Sequence, residues 1–162
     1  MLESAFNQVF PMQVSDAGAL FIKQEEGERL TSYADAGGYS IGYGHLITPD
    51  DMVNYGLPSE PGVTISQALA DQLFADDLLK VENVINENVT AILSQNQFDA
   101  LADFIYNVGS AAFLSSTLLA DLNAGNYSGA AAQFEQWNKS QGNISTALTT
   151  RRLAEASLFQ TA

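Results

Sequence analysis

The chain has 162 residues, 46% of them hydrophobic, which suffices for one folding unit to bury a core without staples. It contains no cysteine and a single histidine, which excludes disulfides and thiolate metal sites, and no carboxylate spacing suits a metal, so neither metal nor cofactor is expected. A formal net charge of -13 argues against nucleic acid or anionic lipid as partners, since both attract positive surfaces.

No apolar run approaches the roughly 18 to 20 residues of a membrane span, so no stable membrane association is expected. The N-terminal MLESAFNQVFPMQ has no basic region followed by an apolar core, so no secretion signal is expected either. Ser15 is a plausible N-cap, and Ala17, Leu20 and Phe21 recur at helical spacing, which predicts a first helix ending near Glu26-Gly27. Leu30 to Tyr33, Tyr39 to Tyr43 and Leu46 to Ile47 alternate with glycines and polar residues, as in a small antiparallel sheet. Thr48-Pro49 opens a short helix that should stop at Gly56. A Pro- and Gly-rich loop over Leu57 to Val63 leads to Thr64-Ile65-Ser66-Gln67, read as a capping box for a long helix reaching about Asn86. That helix has the length of a connector between two lobes.

Beyond Asn86 the pattern reads as helical throughout. Ser94 and Gln97 form a second capping box, and Phe98, Leu101, Ala102 and Ile105 make one apolar stripe on a central helix stopping near Gly109. Shorter helices capped by Ser116 and Ser128 should follow, with Gly125 as a stop, and the last should run from about Thr146 to Phe159. The fold class is therefore α+β and mostly helical: a small antiparallel sheet lobe over about 26–60, a connecting helix over about 64–86 and a helical lobe over about 90–162, with a cleft between the lobes. Residues 1–14 are left as an N-terminal extension of one domain, 1–162.

Within Glu25 to His45, EEGERLTSYADAGGYSIGYGH, two acids and a hydroxyl are spaced as cleavage of a glycosidic bond would use them. That reaction needs one carboxylic acid that stays protonated to protonate the leaving oxygen, and a second carboxylate that handles water or the developing charge. Glu26 ends a helix, where the negative end of the macrodipole and the like charges of Glu25 and Glu28 disfavour ionisation. Asp35 precedes Ala36-Gly37-Gly38, a turn that leaves a short carboxylate solvated and ionised. Ser40 could hold the attacking water with Asp35. Amide and aromatic groups bind saccharides, so Asn107 and Trp137 are candidate substrate contacts, and Tyr43 a candidate cleft wall. Gly42-Tyr43-Gly44 lacks the third glycine of a nucleotide-binding loop and is better read as a tight strand turn. His45 reads as a satisfied structural histidine.

Glu26-Gly27, Asp35 after eight intervening residues, and Ser40-Ile41-Gly42-Tyr43-Gly44-His45 together resemble the catalytic motif of the phage lysozymes of glycoside hydrolase family 24. Phe98-Asp99-Ala100-Leu101, Tyr106-Asn107-Val108-Gly109, Ser116-Thr117-Leu118-Leu119, Leu122-Asn123-Ala124-Gly125, Phe134-Glu135-Gln136-Trp137-Asn138 and Leu148-Thr149-Thr150-Arg151-Arg152-Leu153-Ala154-Glu155 are similar to the helical lobe of the lambdoid members. The resemblance covers about Ser15 to Phe159. Two departures stand out: Ser40 replaces the usual threonine, and it follows Asp35 one residue sooner than in the T-even enzyme. Without the methyl the hydroxyl is less restricted at χ1, so a reduced rate is expected.

The resemblance implies a lysozyme-like fold and a muramidase that cuts the β-1,4 bond between N-acetylmuramic acid and N-acetylglucosamine with inversion. Glu26, Asp35 and Ser40 would be its catalytic residues, Arg151 in preference to Arg152 would pair with the catalytic glutamate, and His45 would pair with Asp77. The partner would be peptidoglycan glycan strands, met by a monomer that accumulates in the host cytoplasm and reaches the periplasm and wall through a holin-type hole. A weakly active peptidoglycan-binding module of the same fold, or a secreted or virion-associated lysozyme, are the alternatives.

Overall fold

The structure, a computed structural model, describes residues 10–161. Of the N-terminal extension, residues 1–9 lie outside the described part. The remainder of that extension is tied to the chain by backbone bonds to side chains: Met12 N–H donates to Asn86 at 2.9 Å and Val14 N–H to Glu82 at 2.8 Å.

The chain divides into two units, one of them Lys23–Leu79 and the other formed by the described residues before and after it. Helix α1, Asp16–Glu26, starts where expected: the Ser15 hydroxyl accepts the Gly18 N–H at 3.1 Å and itself donates to Asp99. A side chain at position 18 would run into the Asp99 carboxylate, its Cβ 2.5 Å from Cγ, so the approach depends on glycine.

In the Lys23–Leu79 unit, β1 (Arg29–Asp35), β2 (Gly38–Gly42) and β3 (His45–Leu46) form an antiparallel sheet in that order. The register pairs Tyr33 with Ser40 and Asp35 with Gly38, leaving Ala36 and Gly37 as the turn. Helix α2, Pro49–Tyr55, has Thr48 and Asp51 in a reciprocal capping box and ends on Gly56 at φ 64. The expected box at Thr64 is a different structure. Thr64 instead bridges to Thr31 beside β1, and Ser66 caps α3, Gln67–Asn88, by accepting the Leu69 N–H at 3.2 Å. Ile41, Ile47, Leu57, Ile65, Leu73 and Phe74 form the buried apolar interior of this unit.

The other unit is built on α4, Gln95–Val108, with the Ser94–Gln97 box at its start, packed against α8, Thr146–Gln160. Between them lie α5 (Ser110–Leu114), α6 (Thr117–Asn123), α7 (Tyr127–Gln133) and a 3-10 turn at Phe134–Gln136. Phe104, Phe134 and Phe159 are fully buried or nearly so, with successive ring centroids 5.2 and 5.5 Å apart. Two expectations need correction here. Asn126, not Ser128, caps α7, because its side chain accepts the Gly129 N–H at 3.0 Å while Ser128 lies inside the helix. The stretch is also not helical throughout: β4 (Lys139–Ser140) and β5 (Asn143–Ile144) make a hairpin around Gln141-Gly142, both at positive φ. Among the described residues no helix is long and apolar enough to cross a membrane.

Candidate active site

Glu26 is the last residue of α1, which closes through the Gly27 N–H on the Lys23 carbonyl at 3.0 Å with Gly27 at φ 68. The carboxyl group lies against the turn between β2 and β3. Its Oε2 is 2.9 Å from the point that a Cβ on Gly44 would occupy, at φ 77, so a side chain there would displace the Glu26 carboxyl group.

Asp35 ends β1 and remains exposed, whereas Ser40, inside β2, is fully buried. The Ser40 hydroxyl donates to Asp35 Oδ2 at 2.8 Å, and the other carboxylate oxygen accepts the Ala36 N–H at 2.7 Å. The Asp35 rotamer is thus fixed by two donors while the group keeps access to water. Tyr33, opposite Ser40 across the ladder, shares a face of β1 with Asp35 because successive strand residues alternate. Burial first, then the charges of Asp35 and Glu26, hold its phenol above its ordinary value, against the smaller effects of Arg29 and of the Ser40 hydroxyl. Both carboxylates therefore act on the charge of one phenol, while Asp35 and Ser40 are joined directly by their hydrogen bond. Sequence reasoning missed Tyr33; its place two residues before Asp35 in a strand was the available signal.

The remaining expected residues are placed more variously. Tyr43 is buried, its hydroxyl donating to Glu28 at 2.7 Å and accepting from Gln67 at 3.1 Å, with the Lys23 ammonium 4.5 Å from its ring centroid. Contrary to the expected cleft wall, its ring packs edge-on against Phe74, centroids 5.4 Å apart, and offers little surface to a sugar. His45 is also buried, with Nδ1 2.7 Å from Asp77 and Nε2 3.1 Å from Asp51. Burial alone would lower its pKa, but the hydrogen bonds and charges of Asp77 and then Asp51 outweigh it and raise the imidazole above its ordinary value. Asp51, in the first turn of α2, is a second partner that the sequence reading did not name.

In the second unit Arg151 forks onto Asp103, with Nε 3.0 Å from Oδ2 and Nη2 2.8 Å from Oδ1. Arg152 donates to Glu155 at 2.8 Å and to Asn107 Oδ1 at 2.9 Å, its guanidinium 5.0 Å from the Phe104 ring centroid. Burial and the Asp103 hydrogen bond raise the Glu155 carboxyl pKa, and the Arg152 and Arg151 charges only partly offset this. Asn107 is exposed, and Trp137 is half-buried, edge-on to Phe104 at 5.5 Å. Asp103 was overlooked because it sits within the most apolar stretch of α4.

An exposed carboxylate fixed by a buried hydroxyl can hold and deprotonate water, and a second carboxyl nearby can serve as proton donor, which is the pair that acetal hydrolysis uses. Comparison with known proteins agrees with that chemistry. The family description "Phage lysozyme" matches residues 23–155. The endolysin of Acyrthosiphon pisum secondary endosymbiont phage 1 is 37% identical over 156 residues, covering 93% of this chain and all of that one. The endolysin of Salmonella phage P22 is 41% identical over 149 residues, covering 91% of this chain and 98% of that one. Of the endolysin of Bacillus phage PZA, 40% identical over 151 residues, the chain spans 55%. Among solved structures, the muramidase domain of SpmX from Asticaccaulis excentricus matches with a TM-score of 0.79 at 34% identity, over 93% of this chain and 99% of that one. A lysozyme of phage P22 matches with a TM-score of 0.77 at 39% identity, over the same shares.

Proposed function

Because this chain belongs to the phage lysozyme family, we propose that it hydrolyses the β-1,4 bond between N-acetylmuramic acid and N-acetylglucosamine in peptidoglycan, with Glu26 as general acid and Asp35 as general base. The observation that carries the reading is the Ser40–Asp35 hydrogen bond on the small sheet whose β2–β3 turn the Glu26 carboxyl group, at the end of α1, lies against. In the reaction the Glu26 carboxyl proton passes to the glycosidic oxygen as the C–O bond breaks. Water held by Asp35, whose carboxylate the buried Ser40 hydroxyl orients, loses its proton to Asp35 and bonds to the anomeric carbon. Attack from the face opposite the leaving group inverts that carbon, and the two carboxyl groups then exchange their proton states back through solvent.

Asn107 and Trp137 offer an amide and an aromatic surface suited to a saccharide. Arg151 is the supporting cation of this reading, its guanidinium already oriented by Asp103. The protein acts as a monomer on the cell wall; it accumulates in the host cytoplasm and reaches the wall through a holin-type hole. Turbidity clearing of wall suspensions tests the assignment. The parent should clear them, while Glu26→Gln and Asp35→Asn, folded as judged by their unfolding midpoints, should not. Equal clearing by all three would overturn the roles given to these acids, and equal, negligible clearing would favour a wall-binding module.

A further inference from the structure

Arg29 opens β1 and is exposed, with its guanidinium carbon 4.1 Å from the Tyr33 ring centroid. The Lys23–Leu79 unit has only Lys23 and Arg29 as Lys or Arg residues among many Asp and Glu. Lys23 is consumed by Asp71 at 2.7 Å. Arg29, among the described residues, makes no ion pair. Its stacking partner stands opposite Ser40 on the strand that ends in Asp35, so a cation with uncommitted donors is shelved on the same strand as that acid. Stacking restrains the guanidinium, and its edge keeps the fork of N–H donors that matches a carboxylate in two parallel hydrogen bonds.

The substrate supplies such a group. Each muramic acid residue bears a lactyl ether linked to a short peptide, and that stem carries free carboxylates. A protein of net charge -13 repels this polymer at long range, so a local cation at the point of cleavage has a definite use. We propose that Arg29, shelved on Tyr33, binds a carboxylate of the peptide stem on the muramic acid residue at the cleaved bond. The proposal rests on the muramidase reading and adds to it the part of the substrate that the sheet recognises.

The test compares the parent with Arg29→Gln and Arg29→Lys on two soluble glycan-strand substrates: native strands with stems, and the same strands with their carboxylates converted to carboxamides. On native strands Arg29→Gln should raise KM about tenfold and leave kcat within about twofold, with Arg29→Lys in between. On amidated strands the three proteins should share one KM. An equal rise of KM on both substrates, or none on native strands, would overturn the site. If the parent cuts neither substrate, the muramidase reading fails, and equilibrium binding of native strands to Glu26→Gln with and without Arg29→Gln still decides: about tenfold weaker binding upholds the site and equal binding refutes it.

Discussion

Replacing Gly44 by alanine separates what the turn between β2 and β3 does for stability from what it does for Glu26. The new Cβ would lie 2.9 Å from Glu26 Oε2 on a backbone at φ 77. An alanine in the left-handed region costs about 1–2 kcal/mol, which for a chain of this size lowers the unfolding midpoint by roughly 3–8 °C. The contact itself is relieved cheaply, because the atom encountered is the end of a flexible side chain, but relief moves the carboxyl group by about half an ångström. Misplacement of a reacting group by about 1 Å can cost on the order of 100-fold, so kcat on wall fragments should fall by about 10- to 100-fold. Gly56→Ala is the control: φ is 64 and nothing lies within 4 Å of the added Cβ, so it carries the same backbone cost without touching Glu26. Thermal unfolding should rank the two variants together and kinetics should separate them. Equal kcat for Gly44→Ala and Gly56→Ala would refute the placement of Glu26 against this turn.

Three further perturbations address the supporting structure. The raised imidazole of His45 contributes stability that is fully present below its ordinary value of 6.5 and is lost as pH climbs through the higher folded value. His45→Asn should therefore abolish the decline in unfolding free energy above that pH and, by leaving Asp51 and Asp77 uncompensated, cost about 2–3 kcal/mol in acid; an unchanged profile would contradict the pair. Asp103→Ala should cost about 3 kcal/mol, near the low end for breaking a buried pair, because Glu155, 3.7 Å from Arg151 Nε, is freed to ionise; denaturant unfolding would measure it, and a loss under about 1 kcal/mol would refute the fork's weight. With a net charge of -13 facing an anionic wall, turnover should rise from low to moderate ionic strength as repulsion is screened, and a monotonic fall would count against that view.

Much of this architecture could be read in advance because local signals and tertiary structure agree. Ser15 before α1, Pro49 and Gly56 around α2, and Ser94 with Gln97 at α4 are end signals whose chemistry is satisfied within a few residues. Reading failed where competing candidates stood side by side or an element was too short to show a period. Asn126 and Ser128 are both capable caps, and only Asn126 directs its oxygen to Gly129 N–H. The Lys139–Ile144 hairpin has two residues per strand, too few for alternation to register. The contact of Ser40 with Asp35 was legible because the two stand on either side of one tight turn. Their surroundings were not: Tyr33 meets Ser40 only through the register of the hairpin, and the Asp103–Arg151 fork joins positions 48 residues apart.

The chemical identity of the ends released from peptidoglycan tests the central claim most directly. Strands digested by the parent, reduced with borohydride and hydrolysed in acid should yield muramitol as the new reduced end, and Glu26→Gln, folded to the same midpoint, should yield none. Glucosaminitol from the parent, or muramitol from Glu26→Gln at the parental rate, would contradict the assignment of a muramidase whose acid is Glu26.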